Sequence, residues 1–252
     1  PSGICLEHDK VPTLDGHEEP MLVRSDPPRA LGTEEVKAIV ADFAQAARNA
    51  MAAGFDGVEI HAANGYLFDQ FRCPYLNDRA DEYGGTLENR WRFLLETVDA
   101  VTQTVGRARV GVRVSPLGTA HEMRTDPDPL LTYGHLACEL DRLGVGYLHV
   151  YDQSGSWIHD PQSDLLEHLR ACYPYAMILC GGFSLERAHA ALQSDHADLI
   201  AFGKHFISNP DLVERLRIGA PLAPWNPKTI YKGGATGYID YPTLEEEALS
   251  EP

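Results

Sequence analysis

The sequence feature that most constrains the fold is an alternation of short β-rich runs with longer amphipathic patterns. About five runs rich in Val, Ile, Leu and Tyr alternate with segments whose apolar residues recur at helical spacing. This order predicts parallel strands, because two parallel neighbours need a long crossover connection between them. The predicted strands are 57–61, 110–114, 147–150, 177–180 and 199–202. The predicted helices are 33–53 (with Thr33 as N-cap and Gly54 as its stop), 87–101, 133–143, 165–172, 185–192 and a last helix opened by Asn209 and Pro210.

Such an alternation fits both a closed barrel and an open doubly wound sheet. The chain contains no GxGxxG run, which usually follows the first strand of an open dinucleotide-binding sheet. Polar residues instead follow several of the predicted strands, where barrel enzymes carry their catalytic groups. These residues are His61 and Asn64, Arg113 and Ser115, Asp152 and Gln153, Gly181 and Gly182, and Gly203 and Lys204. The predicted fold class is therefore α/β, a (β/α)8 TIM barrel.

Length, charge and cysteine usage narrow the class of protein. The 252 residues fit a single domain, 1–252, entered through an extended loop at 1–28. A net charge of −16 disfavours nucleic acid and anionic membranes as partners and favours small molecules. The 5 cysteines are scattered and lack zinc-site spacing, so we expect no metal site and a reducing, cytoplasmic location. A soluble enzyme is the expectation.

Several motifs occur in a fixed order along the chain. The stretch 54–67 reads GFDGVEIHAANGYL and is followed by DQF at 69–71, NDR at 77–79, DEYGG at 81–85 and ENR at 88–90. Further motifs are GVRVSP at 111–116, FGKHFISNPDL at 202–212 and GGATGYIDYP at 233–242. This succession resembles the Old Yellow Enzyme family of flavin-dependent ene-reductases, and the resemblance covers nearly the whole chain.

The resemblance implies an FMN at the mouth of the barrel and NADPH or NADH as the reductant. Reduced flavin would pass a hydride to the β-carbon of an α,β-unsaturated carbonyl or nitro compound. His61 and Asn64 would donate hydrogen bonds to the substrate oxygen and stabilise the negative charge that develops there. Tyr66 would protonate the α-carbon, since an ordinary phenol keeps its proton at neutral pH. Taken singly, these residues would more often be a structural His, a turn Asn and a packing Tyr.

The cofactor contacts follow from the same resemblance. Arg113 would contact the flavin near N1, where negative charge gathers on reduction; a salt bridge to a barrel carboxylate is the alternative. Lys204 stands where the family has arginine, and it offers a point charge rather than a planar pair of donors. Gly181, Gly182 and Gly203 suit the flavin phosphate, because without a Cβ their backbone N–H groups can approach an anion; the alternative is that they only turn the chain. The resemblance also places Phe183 beside the cofactor and Tyr231 at the substrate mouth.

Three alternatives stay open at this point. The motifs of the family's first three strands are absent, so the chain is expected to carry about the last five βα units of the barrel. It could therefore be an inactive fragment, or a half that depends on a partner, rather than an active ene-reductase. Another phosphate-binding barrel, such as an aldolase or isomerase, would need a strand-end acid/base pair or lysine. Only Lys204 occupies such a position. A homo-oligomer is possible.

Overall fold

The structure is a computed structural model that describes residues 10–13, 21–24, 26, 28–159, 164–230 and 234–250. The chain divides into two compact units, which are described separately. Unit 1 comprises Pro1–Asp9 and Arg24–Ile200, and unit 2 comprises Lys10–Val23 and Ala201–Pro252. The prediction of a single domain stays a prediction.

The order of elements follows the alternation that the sequence predicts. Strands β1 (Lys10–Thr13) and β2 (Met21–Arg24) form a two-stranded sheet within the segment expected to be an entry loop. The later elements are α1 (Thr33–Ala52), β3 (Val58–Ala62), α2 (Leu67–Arg72), α3 (Leu87–Val105), β4 (Val110–Val114), α4 (Pro129–Leu143), β5 (Tyr147–Tyr151), α5 (Asp164–Cys172), β6 (Ala176–Cys180), α6 (Leu185–Gln193), β7 (Leu199–Ala201), α7 (Lys204–Ser208), α8 (Leu212–Ile218) and α9 (Leu244–Ser250).

The main sheet has five strands in the order β3-β4-β5-β6-β7. The pairs β3-β4, β4-β5 and β5-β6 are parallel. Each strand lies beside the next one along the chain, whereas the order of a doubly wound sheet reverses at a switch point. The α/β class with a parallel sheet is confirmed, and the sequential order favours a barrel over a doubly wound sheet.

The two faces of the sheet differ in character. Successive strand residues point to opposite faces, so one face is set by every second position. One face is apolar and buried: Ile60, Ala62, Val112, Val114, Leu148, Val150, Met177 and Leu179. Helices α2 and α3 contact β3 and β4, and α1 packs against α3. The opposite face, which we call the site face, carries Glu59, His61, Gly111, Arg113, Tyr147, His149 and Tyr151.

Two helix starts differ from the sequence prediction. Helix α1 begins at Thr33, but Gly32 is the N-cap and its N–H donates to the Glu35 carboxylate at 2.7 Å. The Thr33 hydroxyl is engaged elsewhere, because it donates to Asp81 at 2.6 Å. The prediction that Thr33 caps the helix is therefore wrong.

The last predicted helix also begins later than expected. Helix α8 starts at Leu212 with Asp211 as its N-cap, so Asn209 is not the cap. The buried Asn209 side chain instead donates to the carbonyl of Ala223 and accepts from its N–H, at 3.2 and 2.8 Å. A cap needs its side chain free to accept from its own helix, which this bridging use prevents.

Among the described residues, no helix is long and apolar enough to cross a membrane. In the same part of the chain, no group of three or more His, Cys, Asp or Glu side chains is arranged to hold a metal ion.

Candidate active site

The loop after β3 begins with a turn in a left-handed backbone conformation. Asn64 has φ 59° and Gly65 has φ 76°, values that asparagine and glycine adopt most readily. The Asn64 N–H donates to the Ser115 hydroxyl at 2.7 Å, and the Gly65 N–H donates to the Asp69 carboxylate at 2.9 Å. A Cβ on residue 65 would lie 2.8 Å from the carbonyl oxygen of Ala120. The turn is therefore fixed by partners on both sides.

Tyr66 lies immediately after this turn, where it precedes α2. Its side chain is half-exposed, and its ring centroid lies 5.1 Å from that of His61 and 5.2 Å from that of His121. The structure thus brings together two of the three residues proposed to act on substrate. The third, Asn64, has a buried Oδ1 with no hydrogen-bond partner among the described residues. Their catalytic roles remain predictions.

The surroundings of His61 favour its neutral form. Burial lowers the pKa of His61 and the positive charge of Arg113 lowers it further, against opposing contributions from Glu59 and Asp69. Because the resulting pKa lies below the ordinary value of about 6.5, the ring is mostly uncharged at neutral pH. A neutral imidazole has one N–H donor and one acceptor, so His61 is able to donate to a substrate oxygen.

Arg113 lies next to His61 in the register of β3 and β4. Its guanidinium carbon lies 4.8 Å from the centroid of the Tyr151 ring, a cation–π arrangement. Its Nε is buried and has no hydrogen-bond partner in the described part of the chain. A buried donor without a partner is costly, which fits a site that receives an acceptor such as a flavin ring atom.

The glycines after β6 have a structural reason to be glycine. Gly181 has φ 139° and Gly182 has φ 59°, both unfavourable for side chains. A Cβ on Gly181 would lie 2.4 Å from the carbonyl oxygen of Asp152. Chain geometry thus accounts for both residues, and phosphate binding stays a prediction. Phe183, which follows them, is buried; its contact with the cofactor also stays a prediction.

The proposed phosphate residues of unit 2 present a different case. Gly203 has φ −95°, and a Cβ added there would meet nothing within 4 Å. Neither backbone strain nor crowding requires glycine at this position. The open space beside Gly203 is therefore compatible with a ligand that approaches the backbone closely. The ammonium of Lys204 lies 4.7 Å from the Trp225 ring centroid. Tyr231, predicted at the substrate mouth, lies outside the described residues.

Two residues of the site were not identified from the sequence. His121 contacts Tyr66, but it lies in the irregular segment after β4, where no periodicity marks it. The Asp69 carboxylate accepts a hydrogen bond from the Gly65 N–H. This contact depends on the folded path of the loop, so the sequence alone does not indicate it. The sequence marks Gln153 only as a polar residue at the end of a strand. Its Oε1 accepts from the N–H groups of Thr119 and Ala120 at 3.0 and 2.9 Å, which fixes the segment before His121.

Comparison with known proteins gives a consistent result. A family model described as the NADH:flavin oxidoreductase / NADH oxidase family matches residues 7–223. The chain is 44% identical over 229 residues to 12-oxophytodienoate reductase 2 of Arabidopsis thaliana, with 89% of this chain and 61% of the relative covered. It is 43% identical over 217 residues to a probable flavin mononucleotide-dependent alkene reductase of Leishmania infantum, with 86% and 58% covered.

Solved structures give a matching result. Morphinone reductase in complex with tetrahydroNAD superposes with a TM-score of 0.90 and 42% identity, covering 97% of this chain and 66% of that one. The chain spans about three fifths of the length of the curated relatives it matches. Its α/β fold is therefore similar to that of morphinone reductase over nearly all of the present sequence.

Proposed function

Because the chain belongs to the NADH:flavin oxidoreductase / NADH oxidase family, the Old Yellow Enzyme family, we propose that it reduces activated C=C bonds. FMN is the cofactor of this family. The substrates would be α,β-unsaturated carbonyl or nitro compounds, and NADPH or NADH would be the electron donor. When bound, FMN supplies the hydride that the protein's own side chains cannot supply.

The observation that carries the proposal is the arrangement of His61, Asn64 and Tyr66 at the end of β3. The turn is held by Ser115 and Asp69, and the rings of His61 and Tyr66 are 5.1 Å apart. His61 and Asn64 would donate to the substrate oxygen and stabilise the charge that develops on it. Tyr66 would deliver a proton to the α-carbon from its hydroxyl.

Arg113 and the glycines would hold the cofactor. The unpartnered Nε of Arg113 supports a contact to the flavin ring, and the open space at Gly203 supports close approach of a ligand. Gly181, Gly182 and Lys204 would bind the flavin phosphate, Phe183 would pack beside the cofactor and Tyr231 would contact substrate. Lys204 would bind as a point charge, so we expect weaker phosphate binding than an arginine gives.

The strands would form the later part of a (β/α)8 barrel, about the last five βα units, within one FMN-binding domain. The sequential strand order supports this proposal. A homo-oligomeric state and a cytoplasmic location stay predictions. The relatives described above are named as reductases, which does not favour an inactive remnant.

The test is direct. The purified protein, supplied with FMN and freed of excess by gel filtration, is expected to retain the yellow flavin absorbance. That absorbance should bleach on addition of NADPH or NADH under nitrogen and return when an enone such as 2-cyclohexenone is added. Protein that binds FMN but never reoxidises with any enone or nitroalkene would contradict the proposed reaction. Protein that binds no FMN would contradict flavin-dependent function altogether.

A further inference from the structure

Two rows of side chains cross the site face of unit 1. In the register of β3, β4 and β5, Glu59 lies beside Gly111, which lies beside Tyr147. In the next row, His61 lies beside Arg113, which lies beside His149. The second row contains two residues of the proposed function. The first row contains Glu59, to which that function assigns no role.

The Glu59 carboxylate contacts a side chain from β5, although β4 lies between the two strands. Its Oε2 lies 2.9 Å from Nδ1 of His149, and burial together with its negative charge raises the pKa of the nearby Tyr147 hydroxyl. An ionised carboxylate only accepts hydrogen bonds, so Nδ1 of His149 must carry the hydrogen. The carboxylate therefore fixes the orientation and the tautomer of His149.

Gly111 leaves room for the Tyr147 ring on the site face. A Cβ at this position would lie 2.0 Å from Cζ of the Tyr147 ring. Since real side chains do not approach so closely, the ring lies across β4 only because residue 111 has no side chain. The glycine on β4 thus lets the tyrosine on β5 lie toward the carboxylate on β3.

The charges of Glu59 in the first row and Arg113 in the second row change the pKa values of their neighbours. Burial alone would raise the pKa of Glu59, but the hydrogen bond from His149, the nearby Tyr147 hydroxyl and the positive charge of Arg113 bring it below its ordinary value. Glu59 is therefore ionised at neutral pH. Its negative charge acts in turn on His61, whose pKa it raises against the contributions of burial and Arg113.

We propose that Glu59 is a positioning residue of the active site, which holds His149 in place and supplies the negative charge that partly balances Arg113. The inference rests on the proposed function in one respect only. If Arg113 contacts the flavin, Glu59 limits how strongly that arginine stabilises the extra negative charge of reduced flavin. In that case the carboxylate lowers the reduction potential of the flavin through its effect on Arg113.

Glu59→Gln tests the role of the charge while keeping the size of the side chain. Without the carboxylate, reduced flavin is expected to be stabilised by on the order of tenfold, which is about 30 mV more positive for a two-electron couple. Spectroelectrochemistry with reference dyes measures the potential. Glu59→Asp, which keeps the charge, is expected to return the potential toward the wild-type value. Glu34→Gln removes an exposed carboxylate on α1 and should leave the potential unchanged.

A second measurement does not need flavin. NMR titration of the histidine ring protons in flavin-free protein should give a lower pKa for His61 in Glu59→Gln than in wild type or Glu34→Gln. The Nδ1–H signal of His149 should move or broaden in the same variant.

The two measurements separate the possible failures. If the protein binds no FMN, the proposed function fails, and the titration alone decides whether Glu59 acts on the site face. If FMN binds but the potential and the His61 titration of Glu59→Gln both match those of wild type, the inference is overturned. A shift in the titration without a shift in potential would retain Glu59 as a partner of His61 and reject its influence on the flavin.

Discussion

The Asn64–Gly65 turn determines where the candidate catalytic side chains lie. Its two N–H groups donate to Ser115, at the end of β4, and to Asp69, in the first turn of α2. Both acceptors are buried, so water does not compete freely for these hydrogen bonds. The backbone before Tyr66 is therefore positioned before any substrate arrives, which is the condition for efficient hydrogen-bond catalysis.

The role of Tyr66 is testable with one atom removed. Tyr66→Phe is expected to slow reoxidation of reduced flavin by an enone by roughly 10²-fold or more, because a positioned general acid contributes that much. Reduction of the flavin by NADPH, which needs no proton from this residue, should be nearly unchanged. Anaerobic stopped-flow absorbance measures the two half-reactions separately.

Tyr175 offers a matched control for Tyr66, because it precedes a strand of the main sheet whereas Tyr66 follows one. Tyr175 is 52% exposed, close to the 50% of Tyr66, and immediately precedes β6. Tyr175→Phe should leave both half-reactions unchanged. Equal losses in both half-reactions of Tyr66→Phe would remove Tyr66 as the proton donor.

Helix α2 shows how a short element is stabilised by its tertiary contacts. It has six residues, too few for a stable helix in isolation. The rings of Phe68 and Phe71 lie 4.7 and 4.8 Å from that of Phe93 on α3. On its polar side, buried Arg72 donates to Asp69 and Asp126, each at 2.8 Å. Since Asp69 also binds Gly65, this ion-pair group joins α2 to the Asn64–Gly65 turn.

Removing the central charge of this group should be costly. Arg72→Leu leaves two buried carboxylates without their cation, and it is expected to lower the free energy of unfolding by about 3–5 kcal/mol. The matched control is Arg142→Leu, which removes an exposed pair with Glu139 and should cost about 1 kcal/mol or less. Urea unfolding followed by circular dichroism measures both. If both substitutions lowered the free energy of unfolding equally, the buried ion-pair group would contribute no more to stability than an exposed pair.

The strands and helices were predictable to different degrees. The strand 110–114 was predicted with its observed bounds, and the other strands of the main sheet within about one residue, because each is a short apolar run between turn residues. Helices α2, α7 and α9 and strands β1 and β2 were not predicted. Elements of four to seven residues contain too little periodicity to be recognised. Helix α2 forms because its neighbours bury Phe68, Phe71 and Arg72.

Acid stability of the whole chain depends on carboxylates held by cations. Asp81 is an example in unit 1: the hydrogen bond from Arg79 holds its pKa well below the ordinary value, and the Thr33 hydroxyl and the Tyr83 N–H also contribute, against the effect of burial. A carboxyl whose pKa is depressed on folding stabilises the protein above its ordinary pKa of about 4, and this contribution is lost as pH falls below that value.

The sign of the expected effect follows. The free energy of unfolding of the wild type should decrease between pH 5 and pH 3. Asp81→Asn should be less stable at pH 5 and should lose less stability over the same interval, because it has no carboxylate to protonate at that position. Because the two proteins differ by a single charge, comparing them removes most of the effect of the net charge of −16. Urea midpoints measured across this range would contradict the assignment if the two curves ran parallel.

The sequence by itself determined the order of the main elements, the parallel α/β class and the family motifs, because helical and strand periods and motif spacing are properties of neighbouring residues. Those motifs also marked His61, Asn64, Tyr66 and Arg113 as candidates. The tertiary structure alone decided that Glu59 meets His149, 90 residues away, and that His121 packs against Tyr66. Such contacts depend on strand register and loop path, which are set by packing of the whole unit rather than by any local pattern.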